Sequence, residues 1–143
     1  TEEMLAECRE LFPSCDGVIG AAAPCDYRPV KVKTNKIAKT GSPLGLHLVE
    51  TPDVIASLGA EKSHQWLVGF ALETEDHRFR AITKMERKSC DLMVLNEPSA
   101  MNSLDNEVEI LNRDGLVVAT FSGTKAAVAR GIVQVVHEKL IHA

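Results

Sequence analysis

Aromatic residues are scarce, at 4% of the chain, and Trp66 and Tyr27 are the sole members of their types. Four cysteines, Cys8, Cys15, Cys25 and Cys90, stand far apart. They form no C-x-x-C pair and have no histidine at metal-ligand spacing, so nothing here reads as a zinc site or a disulfide framework. A reduced, cytoplasmic protein is the simplest reading. No apolar run approaches the ~18 residues of a membrane span, and no signal-peptide pattern is present. There is no P-loop and no G-x-G-x-x-G. Gly17-x-x-Gly20 stands alone, which leaves an ordinary dinucleotide dehydrogenase without support. Positive charge is not in excess either. The net charge of -4 speaks against a dedicated nucleic-acid binder. Any site for an anionic ligand must therefore be a local basic patch.

What is present suits one packed core. The chain has 143 residues, 45% of them hydrophobic and 25% charged, which is ordinary for one globular domain spanning 1–143. Met4, Leu5, Cys8, Leu11 and Phe12 predict an amphipathic helix over 2–12. Gly17 to Ala22 is a small-apolar run with the form of a strand covered on both faces. A long, basic, proline- and glycine-containing excursion follows over 25–45, and 46–49 reads as a short strand. Thr51-Pro52-Asp53 starts a helix, with Thr51 as the cap and Val54, Ile55 and Leu58 inward. Residues 66–71 and 91–96 are buried strands. Between them a helix over 77–89 turns Phe79, Ile82 and Met85 inward and Arg80, Lys84, Arg87 and Lys88 outward. Asn112-Arg113-Asp114-Gly115 joins two strand-like runs as a hairpin. A last helix over 125–141 buries Val128, Ile132, Val135, Val136 and Leu140. Strands alternating with helices predict an α/β three-layer sandwich with a mainly parallel sheet and a C-terminal β-hairpin. Ligands bind such sheets beyond the carboxyl ends of the strands. Those ends fall at 22–26, 70–73 and 96–99.

Residue by residue, the chemistry is ambiguous. Asp26 suits a ribose hydroxyl or a self-capping turn. Lys31, Lys33, Lys36 and Lys39 suit phosphates or a solvated loop. Lys84 and Lys88 share a helix face one turn apart, as a phosphate clamp or a solvent stripe. The N–H groups after Thr51 could meet an anion, but Asp53 argues against a bare phosphate there. Cys25 has no adjacent histidine and reads as a packing residue. Phe70 is core, or stacks on a base.

A resemblance orders these readings. Gly20-Ala21-Ala22-Ala23-Pro24-Cys25-Asp26-Tyr27-Arg28-Pro29 resembles the signature of phosphopantothenate–cysteine ligase, the synthetase part of a bacterial bifunctional coenzyme A protein. Four further pieces match in order: residues 36–39, 51–55, 68–74 and 87–94. Asn96 and residues 103–108 fit as well. The resemblance implies a Rossmann-like domain that joins 4'-phosphopantothenate to cysteine with CTP and Mg²⁺, through an acyl-cytidylate, in a homodimer. It implies that Gly20, Ala21, Ala22, Asp26, Pro52, Asp53, Val54, Ile55 and Phe70 line the nucleotide site. Lys84 and Lys88 would take the triphosphate, and Lys36 would hold the intermediate from a mobile loop. No metal ligand is expected from the chain. Pro24-Cys25, Ala38 and Glu97-Pro98 depart from the usual pattern. The family's opening Gly-rich and Asn/Ser-Ser-Gly segments are not matched. A partial domain is therefore expected, without FMN, whose parent chain could carry a flavin-dependent decarboxylase domain. The alternatives are a non-catalytic nucleotide-binding or dimerisation fragment and an NAD(P)-binding oxidoreductase.

Overall fold

The computed structural model describes residues 1–72, 77–96 and 106–142. Calls that fall on 73–76 and 97–105, including the matched Glu73, Thr74, Ser103, Leu104 and Asp105 and the departure at Glu97-Pro98, lie outside the described residues.

Five strands form the central sheet: β1 (Gly17–Gly20), β4 (Trp66–Leu72), β5 (Leu92–Asn96), β6 (Asn106–Asn112) and β7 (Val117–Gly123), side by side in that order. β1, β4 and β5 pair in parallel, and β6 is antiparallel to both β5 and β7. Four of the five strands thus point the same way, with β6 alone reversed. The period-2 alternation of the central strands sorts their side chains onto two apolar faces. Leu67, Met93, Leu95 and Leu111 pack on one face with residues of three helices: α1 (Glu2–Leu11), α2 (Val54–Glu61) and α3 (His77–Arg87). Val68, Leu92, Val94, Val108 and Ile110 meet α4 (Lys125–Val136) on the other. This is the expected three-layer sandwich.

Local chemistry explains the boundaries. The β6–β7 hairpin turns where expected. Asn112 Oδ1 accepts from the Asp114 and Leu116 N–H groups, and Gly115 supplies φ +73°. α3 ends in a Schellman motif, with Ser89 N–H on Glu86 O and Cys90 N–H on Met85 O. Ser89 takes the left-handed position there, at φ +52°. Thr124 caps α4 by accepting from Ala127 N–H, and a π-type turn, His137–Ile141, extends the helix.

Four expectations need correction. β1 stops at Gly20, not Ala22, and is not covered on both faces. It pairs with β4 only among the described residues, and Ile19 is 38% exposed. Ala21 N–H turns back to Ile19 O at 3.1 Å, which takes the chain out of the sheet. Second, the excursion after Pro24 contains an unexpected strand. β2 (Tyr27–Pro29) pairs antiparallel with β3 (Leu48–Glu50) as a separate ribbon. Third, Phe79 is exposed, and the buried stripe of α3 runs through Ala81 and Met85 instead. Two positions along a helix are about 200° apart, so a helix that buries Ala81 turns Phe79 out. On α1, Leu5 is buried but Leu11 is exposed for the same kind of reason. Fourth, the cap of α2 is Asp53 rather than Thr51, accepting from Ala56 N–H at 3.1 Å. Thr51 is used elsewhere: its N–H donates to Asp26 O and its hydroxyl to Cys25 O.

Candidate functional site

A cleft of about 500 Å³ opens at the carboxyl ends of β1, β4 and β5. Its first wall is the chain leaving β1, from Gly20 through Asp26. A Cβ at Gly20 would lie 2.5 Å from Ile55 Cδ1 and displace that side chain, so the strand exit and the start of α2 sit close against each other. The second wall is residues 51–55 at the head of α2, held to the first by the Thr51 bonds to Cys25 and Asp26. Gly69 to Leu72 of β4 form the floor, Lys84 of α3 and Lys88 just past its end the far side, and Asn96 ends β5 at the rim.

Of the residues singled out from sequence, Gly20, Ala21, Ala22, Asp26, Pro52, Asp53, Val54, Ile55, Phe70, Lys84 and Lys88 all line this one cleft. Lys36 does not. It sits in the exposed stretch between β2 and β3. Met4, Cys25 and Thr51 line the cleft without having been assigned there. Cys25 lies in the matched signature, but its residue type carried no signal. Asn96 had a signal, as the polar last residue of a buried strand. Its Oδ1 is buried with no hydrogen-bond partner among the described residues. A buried amide oxygen left unpaired costs roughly 1–3 kcal/mol, so a donor arriving in the cleft would be stabilised there.

The charges are arranged around Asp53. Its Oδ2 lies 3.1 Å from Lys88 Nζ and 3.7 Å from Arg87 Nη2, while Oδ1 caps the helix. Burial pushes this carboxyl up, but the Ala56 N–H, Lys88 and Arg87 together hold it below its ordinary range. The close approach of α2 to the end of α3 depends on Gly59. A Cβ there would come within 2.0 Å of the Lys88 carbonyl oxygen.

The opposite end of the sheet carries a second polar cluster. Asp91 Oδ2 accepts from Leu67 N–H at 2.7 Å and from Lys62 Nζ at 2.9 Å, and Oδ1 meets Arg113. Lys62 also donates to Ser89 O. Burial pushes the neighbouring Cys90 thiol up to about 11, so it stays protonated and inert. This cluster locks α2, α3 and β5 together. Among the described residues no three His, Cys, Asp or Glu side chains converge as a metal site, and no helix is long and apolar enough to cross a membrane.

Together the sheet order and the helices on both its faces define a Rossmann-like α/β domain, with a cleft at the strand ends. More narrowly, the chain belongs to the family described as DNA/pantothenate metabolism flavoprotein C-terminal domain, which matches residues 1–140. Among relatives, it is 33% identical over 142 residues to the Coenzyme A biosynthesis bifunctional protein CoaBC of Vibrio cholerae, covering 94% of this chain and 34% of that protein. It is 35% identical over 137 residues to a Cysteine/Cysteine sulfinic acid decarboxylase from an unknown prokaryotic organism, covering 92% of this chain and 38% of that protein. The chain thus spans about a third of the length of these relatives. Among solved structures, the C-terminal domain of a CoaBC protein superposes with TM-score 0.77 at 28% identity, covering 100% of this chain and 64% of that one.

Proposed function

We propose that this chain forms the nucleotide half of a phosphopantothenate–cysteine ligase acting in coenzyme A biosynthesis, with CTP as the activating nucleotide. One observation carries the reading. Three stretches far apart in sequence, 20–26, 51–55 and 84–88, meet in a single cleft at the place where α/β sheets bind nucleotides. Membership of the pantothenate-metabolism family and the likeness to CoaBC proteins support the substrate class. CTP itself rests on the resemblance, since no residue here declares base choice.

The reaction has two steps. The carboxylate of 4'-phosphopantothenate attacks the α-phosphorus of CTP, and the bond to the β-phosphate breaks to release pyrophosphate. The cysteine amine then attacks the acyl carbon of the acyl-cytidylate and displaces CMP. The first step brings two anions together, and cationic side chains must offset that repulsion. Lys84 and Lys88 take the phosphates. The small residues Gly20, Ala21 and Ala22 let the nucleoside lie against the backbone. Asp26 meets the ribose, with Pro52, Val54, Ile55 and Phe70 completing the pocket. Mg²⁺ would arrive with CTP, whose phosphate oxygens suit it, and would neutralise charge on the leaving pyrophosphate. Lys36 acts from the exposed stretch by folding over the cleft and shielding the acyl-cytidylate from water. Lys36→Ala then slows cysteine-dependent turnover in the intact protein, and unchanged turnover would remove it from the mechanism.

A homodimer belongs to the same proposal. An isolated two-stranded ribbon is marginal in water, and this one, with the stretch that connects its strands, leaves Val30, Val32, Leu44, Leu46 and Leu48 exposed. Light scattering of the purified protein reads the state directly.

The deciding experiment supplies CTP, 4'-phosphopantothenate and cysteine and follows pyrophosphate. Release by the intact protein supports the ligase. Release by a longer chain but not by residues 1–143 supports a non-catalytic nucleotide-binding fragment. A second reading comes from the relative named as a decarboxylase. Release of CO₂ from cysteine or cysteine sulfinic acid, without use of CTP, would favour it.

A further inference from the structure

We propose that Asp53 is a resident anion of the cleft that competes with phosphate oxygens for Lys88, and so limits how tightly the protein retains pyrophosphate. The inference rests on the nucleotide reading and deepens it.

The geometry leaves the carboxylate little freedom. Oδ1 is held by the Ala56 N–H at 3.1 Å, and Oδ2 faces Lys88 Nζ at 3.1 Å. Pro52 stiffens the backbone just before it. Gly59 lets α2 sit directly against the Lys88 carbonyl, which sets the spacing between the carboxylate and the end of α3. Asp53, Lys84 and Lys88 line the same cleft, and Arg87 approaches the same Asp53 oxygen at 3.7 Å. An ammonium has three donors. At least one of those on Lys88 is committed to Asp53 before any ligand arrives.

A phosphate that reaches Lys88 must therefore share it with, or take it from, a carboxylate that its bond to the Ala56 N–H holds beside the cation. The two anions then lie within a few ångströms of each other and repel. A triphosphate tethered through its nucleoside tolerates that penalty, because the walls from 20–26 and 51–55 hold it. Free pyrophosphate has no such tether. Once its bond to the α-phosphate has broken, Asp53 reclaims Lys88 and the product leaves. The same carboxylate explains why the head of α2 does not itself serve as the phosphate site. Its Ala56 N–H already bonds a resident anion.

Asp53→Asn isolates the charge, because asparagine caps a helix about as well as aspartate. In the intact protein, inorganic pyrophosphate should inhibit CTP use about tenfold more strongly in Asp53→Asn than in the native protein, as expected for the loss of one nearby like charge. Cytidine, which has no phosphate, should bind both proteins equally, a split that a merely structural role would not produce. In the Lys88→Met background the same substitution should give little or no gain, since the contested cation is gone. Unchanged or weaker pyrophosphate inhibition in Asp53→Asn, with CTP still binding the native protein, overturns the inference alone. A native protein that binds neither CTP nor pyrophosphate overturns the nucleotide reading, and this inference with it.

Discussion

Asp91 joins four partners at the amino end of β5. It accepts from the Leu67 N–H and from Lys62, meets Arg113, and through Lys62 reaches Ser89 O. Both Lys62 and Asp91 are largely buried, at 14% and 16% side-chain exposure. Asp91→Ala strands an ammonium and a backbone donor away from water, and we expect it to cost about 3 kcal/mol, read as a lower urea midpoint. Cysteine reactivity separates at the same scale. Cys25 is exposed on the cleft wall, whereas Cys90 is buried with its thiol pushed up to about 11. A thiol reagent at neutral pH should label Cys25 in the folded protein and reach Cys90 only on unfolding. Labelling of Cys90 at the native rate of an exposed thiol would contradict the packing around Met85 and Met93. At this scale sequence reading was weakest. Asp53 looked like an acidic residue in a first helical turn, and only its position against Ala56 and Lys88 makes it both cap and ion-pair partner.

Elements were more legible than residues. The central strands β4 and β5 are continuous apolar runs, and such runs are buried wherever they fall. The hairpin followed from Asp114-Gly115, because Gly115 takes a left-handed φ that few other residues accept. The phase of α3 was misread, because Phe79, Ile82 and Met85 form as good a stripe on paper as Ala81 and Met85. Alanine carries too little apolar surface to announce itself, yet its small side chain lets the helix approach the sheet. The β2–β3 ribbon was hidden for another reason: its pairing joins Tyr27 to Glu50 across a long connection, which no local pattern encodes. Helix contacts also give a prediction. Gly59→Ala would ordinarily favour a helix by about 1 kcal/mol. Here the new Cβ meets the Lys88 carbonyl at 2.0 Å, so α2 must move. We expect a net loss of about 2 kcal/mol in chemical denaturation, because the two helices can no longer pack at this distance. A stabilised variant would mean that α2 and α3 shift freely.

For the whole molecule, the sheet collects at its carboxyl edge what the chain disperses. Lys84 and Lys88 lie some sixty residues after Gly20, yet all three line one cleft. Lys84→Ala with Lys88→Ala should weaken CTP more than CMP in calorimetric titration, because in the proposed function only the triphosphate reaches both ammonium groups. Equal weakening would place the outer phosphates elsewhere.

The amino-acid sequence by itself determined the α/β alternation, the hairpin, the α4 stripe and the set of small and basic residues that line the cleft. These are local or periodic signals, set by side-chain size, polarity and backbone preference over a few residues. Tertiary structure alone decided which of those residues meet. It placed Asp53 against Lys88, left Lys36 outside the cleft lining, exposed Ile19 and Phe79, and buried the Asn96 oxygen without a donor among the described residues. The physical reason is that contact between distant segments depends on how helices sit on the sheet. That seating depends on close approaches, at Gly20 against Ile55 and at Gly59 against Lys88, that no single stretch of chain contains.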